Sequence, residues 1–137
     1  MASKQQLTGM RGVYLVASEL SRRGFIASPT SRSATGADIL ATDQFCRKAY
    51  SVQVKTNART FNFWLLSKKA EEQVSDTHVY VFVNIRIKNE LESIEYYIVT
   101  SKDVSEKMAY SKNINSEWYF INLKDILDFK DNWSIFV

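Results

Sequence analysis

Between residues 4 and 23 the chain has no proline, and Leu7, Met10, Val13, Tyr14, Val16, Ala17 and Leu20 recur at steps of three and four. That spacing predicts an amphipathic helix with one apolar stripe, and Gly24 is its natural stop. Residues 25–29 can extend as a short strand, and 30–36 form a polar loop of Thr, Ser, Arg and Gly. Ala37-Asp38-Ile39-Leu40-Ala41 begins a second strand, and 43–48 reads as a turn. Residues 49–56 then alternate, with Tyr50, Val52 and Val54 on one face and Ser51, Gln53 and Lys55 on the other. The stretch 37–56 therefore reads as a β-hairpin.

Further along, 61–66 is apolar enough for another strand, Ser67 caps a short polar helix over 68–74, and 79–87 is the most β-prone stretch of the chain. Residues 94–100 repeat that signal after an acidic turn. Residues 101–109 read as a helix capped by Ser101, and 118–137 combine a strand-like Trp118-Tyr119-Phe120-Ile121 with a short helix near 124–129. Runs of strands rather than strict alternation predict a mixed α/β, α+β-like fold: one central mixed sheet flanked by helices. With no internal repeat and no linker, residues 1–137 are expected to form a single domain.

Composition narrows the function. One cysteine, Cys46, and one histidine, His78, exclude an intramolecular disulfide, a Cys/His zinc site and a triad built on a distant histidine. Both read as structural, a turn thiol and a surface imidazole. The longest apolar runs, such as 79–83, are far too short to span a bilayer, and no basic-then-apolar leader opens the chain. The protein is thus expected to be cytoplasmic and to have no membrane partner. Charge is segregated: residues 1–59 hold nine Lys/Arg against Glu19, Asp38 and Asp43, a balance of +6, whereas 60–137 hold nine against twelve acids, or −3. A positive field over the first half suits a polyanionic partner.

The hairpin brings chemistry together. Ala37, Ile39 and Ala41 must share a face with Tyr50, Val52 and Val54, which leaves only the registers that keep those sets together. With 43–48 as the loop, Thr42 pairs with Ala49, Ile39 with Val52, and Asp38 with Gln53, at about 5 Å between Cβ atoms. Lys55 lies two residues along. A carboxylate, an amide oxygen and an ammonium converge beside a basic loop, on a sheet face that a helix is expected to cover, a costly place for idle polar groups. Asp38, the Gln53 amide and the Val54 carbonyl supply the hard oxygens that Mg²⁺ (or Mn²⁺) prefers, with Lys55 to position a water and balance phosphate charge. That combination suits phosphodiester hydrolysis.

Gly36-Ala37-Asp38 followed by Gln53-Val54-Lys55 resembles the PD-(D/E)XK, or restriction endonuclease-like, nuclease superfamily. The preceding helix ending in Gly24-Phe25 and the Ser/Arg loop are similar to its archaeal Holliday-junction resolvases and Mrr-type nucleases. The resemblance spans roughly residues 7–85 and implies an αβββαβ core. It implies a metal-dependent endodeoxyribonuclease that hydrolyses branched or foreign DNA and can act as a homodimer. Asp38, Gln53 and Lys55 would be catalytic, and Asp38, Gln53 and Val54 would hold the metal. Ala37 stands where the name-giving proline would be, and Gln53 replaces an acid. Val13 falls where many members carry a first-helix acid, while Glu19, the acid in that helix, faces elsewhere with Arg22 and Arg23 as ion-pair partners. A nuclease fold without turnover, acting as a nucleic-acid-binding or regulatory module, is therefore the alternative. Arg11, Arg32, Ser33, Thr56, Asn57 and Arg59 are candidate nucleic-acid contacts. Phe61, Phe63 and Trp64 are core candidates that could include a base-stacking ring. Trp118, Tyr119, Phe120 and Trp133 are expected to close the C-terminal side of the core.

Overall fold

The computed structural model describes residues 1–31, 36–58 and 60–137. Helix α1, Lys4–Arg22, opens on a capping box: Ser3 Oγ accepts the Gln6 N–H and Gln6 Oε1 accepts the Ser3 N–H. It ends at Gly24, whose φ of +91° is one that side chains resist. Strands β1 (Ile26–Pro29), β2 (Ile39–Thr42) and β3 (Ala49–Asn57) follow, with Cys46 exposed in the turn before β3. A short β4 (Phe63–Leu66) comes next, and then β5 (His78–Lys88) and β6 (Leu91–Thr100). The last two are joined by a tight turn in which Asn89 and Glu90 both have positive φ.

The central sheet runs β1-β2-β3-β5-β6, antiparallel throughout except for the parallel pair β3/β5. A parallel pair needs a crossover, and here the crossover differs from the helix expected over 68–74. Ser67 does cap a turn, but that turn is a single 3₁₀ turn, Lys68–Glu71. Ala70 is its one buried residue, so the segment lacks the apolar stripe that would hold a longer helix on the sheet. The space is filled by a second antiparallel sheet, β4-β8-β7, with β7 at Ala109–Asn113 and β8 at Ser116–Asn122. β4 thus pairs with β8 and not with the central sheet.

Helix α2, Ser101–Lys107, is capped by the Thr100 hydroxyl rather than by Ser101. Ser101 instead turns inward, where its Oγ accepts the Ser75 N–H and donates to the Ser75 carbonyl. The expected helix near 124–129 is two 3₁₀ turns, Leu123–Asp125 and Leu127–Phe129.

Two cores lie on opposite faces of the central sheet. On one, Val16 and Leu20 of α1 pack on Ile39, Val52 and Val81, joined by Trp133 and Phe136 from the C-terminal turn. On the other, Trp64, Leu66 and Ile121 of the small sheet pack on Tyr80, Phe82 and Val99. Trp133 thus belongs to the core, with the Arg23 guanidinium 4.3 Å from the centroid of its ring, whereas Trp118 stays 48% exposed. Among the described residues, no helix is long and apolar enough to cross a membrane.

Candidate active site

The hairpin register is Ile39 opposite Val52 and Thr42 opposite Ala49. β2 begins at Ile39, but β3 continues for five residues past Val52, so beyond that point the β2 side of β3 has no strand partner. Asp38 sits at this step. Its N–H donates to the Val52 carbonyl at 2.8 Å, and its carboxylate Oδ2 accepts the Val54 N–H, also at 2.8 Å. The carboxylate stands where the next ladder carbonyl would have been, in a charge-assisted bond. Thr30 holds the same segment from outside: its N–H bonds to the Asp38 carbonyl at 2.9 Å and its hydroxyl to the Ala37 carbonyl at 2.6 Å. Gly36, at φ +83°, lets the chain turn into this position with the Gln73 side chain close above it.

Asp38 and Val54 face a cleft of about 400 Å³ beneath α1, bordered by Gln6, Gly9, Met10 and Val13. α1 thus lines the cleft shared with this carboxylate with Gln6, Gly9, Met10, Val13 and Tyr14 and, among the described residues, with no acid. Glu19 is engaged elsewhere, with Arg22 at 2.9 Å and with Arg23. Gln53 and Lys55 lie on the other face of β3, where a small cavity of about 120 Å³ joins them to Gly36, Ser67, Lys69, Gln73 and Tyr80. The three groups do not share one sheet face as the hairpin alternation predicts, because Asp38 precedes the first residue of β2 and its carboxylate turns onto the Val54 N–H at the strand edge. The turn at 68–71 and β4 cover this face, in place of the expected helix. Burial pushes the Lys55 ammonium below the ordinary lysine value, and the charge of Asp38 opposes that shift. The two groups therefore interact across the end of β2.

At the cleft, the Asp38 carboxylate and the Val54 carbonyl are hard oxygens of the kind a divalent cation such as Mg²⁺ takes, with most of its coordination shell left to water. The Gln53 amide is on the opposite face of β3. Among the described residues no three His, Cys, Asp or Glu side chains cluster as a metal cage.

The other sequence candidates disperse. Arg11 projects from α1 toward the far edge of the sheet, where it forms a bidentate ion pair with Glu92 of β6; it does not join Asp38. Thr56 is oriented inward, beneath Gly12 of α1. A Cβ on Gly12 would lie 1.8 Å from the Thr56 hydroxyl oxygen, which is buried with no partner among the described residues. Asn57 spends its amide N–H on the Phe63 carbonyl, pinning the start of β4. Arg32, Ser33 and Arg59 lie outside the described residues.

His78 is buried rather than at the surface, with Nδ1 2.6 Å from the Ser51 hydroxyl, and burial lowers its pKa. The register of β3 on β5 sets Ser51 beside His78, a pairing that the strand alternation alone does not reveal. Lys4, Lys69 and Gln73 escaped sequence reasoning because they lie in polar stretches without period. They reach the site through tertiary packing around Lys55.

Comparison with protein-family models and with curated protein sequences finds no match. Among solved structures, the chain is similar to Hjc of Archaeoglobus fulgidus, a Holliday junction resolvase from an archaeal hyperthermophile. The TM-score is 0.55 at 16% identity, over 85% of this chain and 89% of the other. At that identity the likeness establishes the fold: a mixed α/β protein built on a resolvase-like, restriction endonuclease-like central sheet.

Proposed function

We propose that this protein is a metal-dependent endodeoxyribonuclease that hydrolyses phosphodiester bonds of DNA, with branched DNA, the substrate type in the solved neighbour's title, as its substrate class. The observation that carries the reading is the Asp38 carboxylate locked on the Val54 N–H, where β3 outruns β2, within electrostatic reach of the half-buried Lys55. Asp38 and the Val54 carbonyl would hold Mg²⁺ or Mn²⁺, with Gln53 reaching the ion around the open edge of β3. Such an ion supplies an acidified water and offsets charge on the leaving oxygen. Lys55 positions the attacking water, and its lowered proton affinity places it closer than an exposed lysine to accepting a proton near neutral pH. Paired cuts across a junction need two such sites, so the reading includes a homodimer.

Supercoiled plasmid, single-stranded DNA and a four-way junction, each incubated with Mg²⁺ or Mn²⁺, test the proposal. Wild type should cut with metal and not in EDTA, and Lys55→Ala and Asp38→Ala should lose about a hundredfold or more of that rate. Val13, an apolar residue at the cleft facing Asp38, favours one second reading: a nucleic-acid-binding module without turnover. Salt-sensitive DNA binding by folded wild type, with no cleavage above the mutant background, would select it.

A further inference from the structure

Beyond the cavity shared with Gln53, Lys55 borders a second, larger groove of about 410 Å³ between the start of α1 and the end of β3. Lys4, Gln5 and Thr8 line it from the helix, Asn57 from β3, and Phe61 from the approach to β4; among the described residues no Asp or Glu lines it. Phe61 is 46% exposed. Its ring centroid lies 5.4 Å from that of Phe63, itself 37% exposed, and Phe63 lies 6.1 Å from Phe120 of β8. An aromatic row thus leads from the cationic groove onto the outer face of the small sheet.

The row is held in place. Trp64 is buried, and its indole N–H donates to the Val83 carbonyl, so strand alternation turns Phe63 outward. Asn57 bonds the Phe63 carbonyl and Arg86 bonds the Phe61 carbonyl. Large apolar rings fixed at the surface are costly to leave in water and carry a function more often than chance.

We propose that this groove and row seat an unpaired DNA strand, with its phosphates at Lys4 and Lys55 and its bases on Phe61 and Phe63. Exposed rings can stack only on bases released from a duplex, and lysines without acids suit the strand's phosphates. A second copy of the chain is a poorer occupant. A two-fold contact lays the patch on itself, and would bring the Lys4 and Lys55 ammonium groups of both copies together. Together with the nuclease reading, on which the step from bound strand to substrate rests, this assigns the enzyme to DNA that carries a single-stranded segment beside the cut.

Anisotropy of a labelled oligothymidine of about twelve nucleotides, titrated in EDTA, measures this binding apart from cleavage. Phe61→Ala and Phe63→Ala should each bind about tenfold more weakly. Phe61→Leu should fall with Phe61→Ala and Phe61→Trp should hold, because stacking and not mere apolarity is at issue. A blunt duplex of the same length should bind more weakly than the single strand. Alanine variants that keep the wild-type circular dichroism and also its oligonucleotide affinity would overturn the proposal. So would a switch from dimer to monomer in size-exclusion chromatography at unchanged affinity, which would give the face to a second copy. Plasmid cleavage is read separately: its absence with intact strand binding would refute the nuclease reading and leave the binding groove standing.

Discussion

The two ends of β3 differ in what lies beside them. Residues 49–52 pair with β2 on one side, 51 and 52 also with β5 on the other, and Tyr50 and Val52 are sealed beneath α1. Residues 53–57 keep β5 but have outrun β2, and their β2 side is completed by a carboxylate. The first end shows what the alternation of the chain dictates: apolar side chains to the helix, backbone groups to the ladder. The second shows how a sheet produces reactivity. Where a strand continues past its neighbour, backbone donors and acceptors turn to an unfilled edge, and a charged side chain can be held there by bonds that the fold would otherwise have used within itself.

The largest expected effect lies at the packed end. Ile39 is wholly buried opposite Val52, so Ile39→Ala should cost about 2–5 kcal/mol in urea unfolding. A smaller loss there would mean that this end is as loose as the other. At the open end, Gly12 permits α1 to rest on Thr56, and Gly12→Ala should cost about 1–3 kcal/mol through overpacking. Thermal unfolding checks this value, and Thr56→Ser in the same background should not relieve it, since the clash is with the hydroxyl.

Val13→Glu would add a second carboxylate facing Asp38. The Mg²⁺ concentration giving half-maximal cleavage should fall about tenfold, since affinity for hard cations follows ligand charge. Unchanged metal dependence would mean that α1 does not address the site.

The smallest effect has the opposite sign. Lys55→Met should stabilise the protein by about 1 kcal/mol at pH 7 while abolishing cleavage, because burial disfavours the ammonium. The sign follows from linkage. With the folded pKa below the unfolded one, the unfolded chain holds more protons in the window just under the ordinary lysine value. Wild-type stability should therefore rise with pH through that window, and the Lys55→Met protein should lack the rise. Denaturant titrations at pH 7 and pH 10 compare the two.

Much of this was readable before any coordinates. With 43–48 as the loop, the register that keeps Ile39 and Ala41 on the face of Tyr50 and Val52 pairs Ile39 with Val52, so the place of Asp38 follows from the chain once the turn is assigned. Val13 came into view only through the family resemblance, and it does line the cleft with Asp38; the pairing of Glu19 with Arg22 and Arg23 is local to the helix. What escaped depends on distant partners. β7 is Ala-Tyr-Ser-Lys-Asn, mostly exposed and without alternation, and it becomes a strand because β8 pairs with it. His78 is buried because the small polar cluster of Ser51, Ser75 and Ser101 closes around the start of β5. Arg11 looked free for phosphate until β6 delivered Glu92, eighty-one residues away, and Thr56 until a glycine brought the helix down on it.

The most direct measurement is cleavage of a four-way junction in Mg²⁺ by wild type and Asp38→Asn. Asparagine keeps an acceptor for the Val54 N–H, so the open edge and the melting temperature should survive, while the lost charge should cut the rate by about a hundredfold or more. An Asp38→Asn protein that melts with wild type and cuts at the wild-type rate would show that the carboxylate at the end of β2 serves the fold alone, and that the site of this protein lies elsewhere.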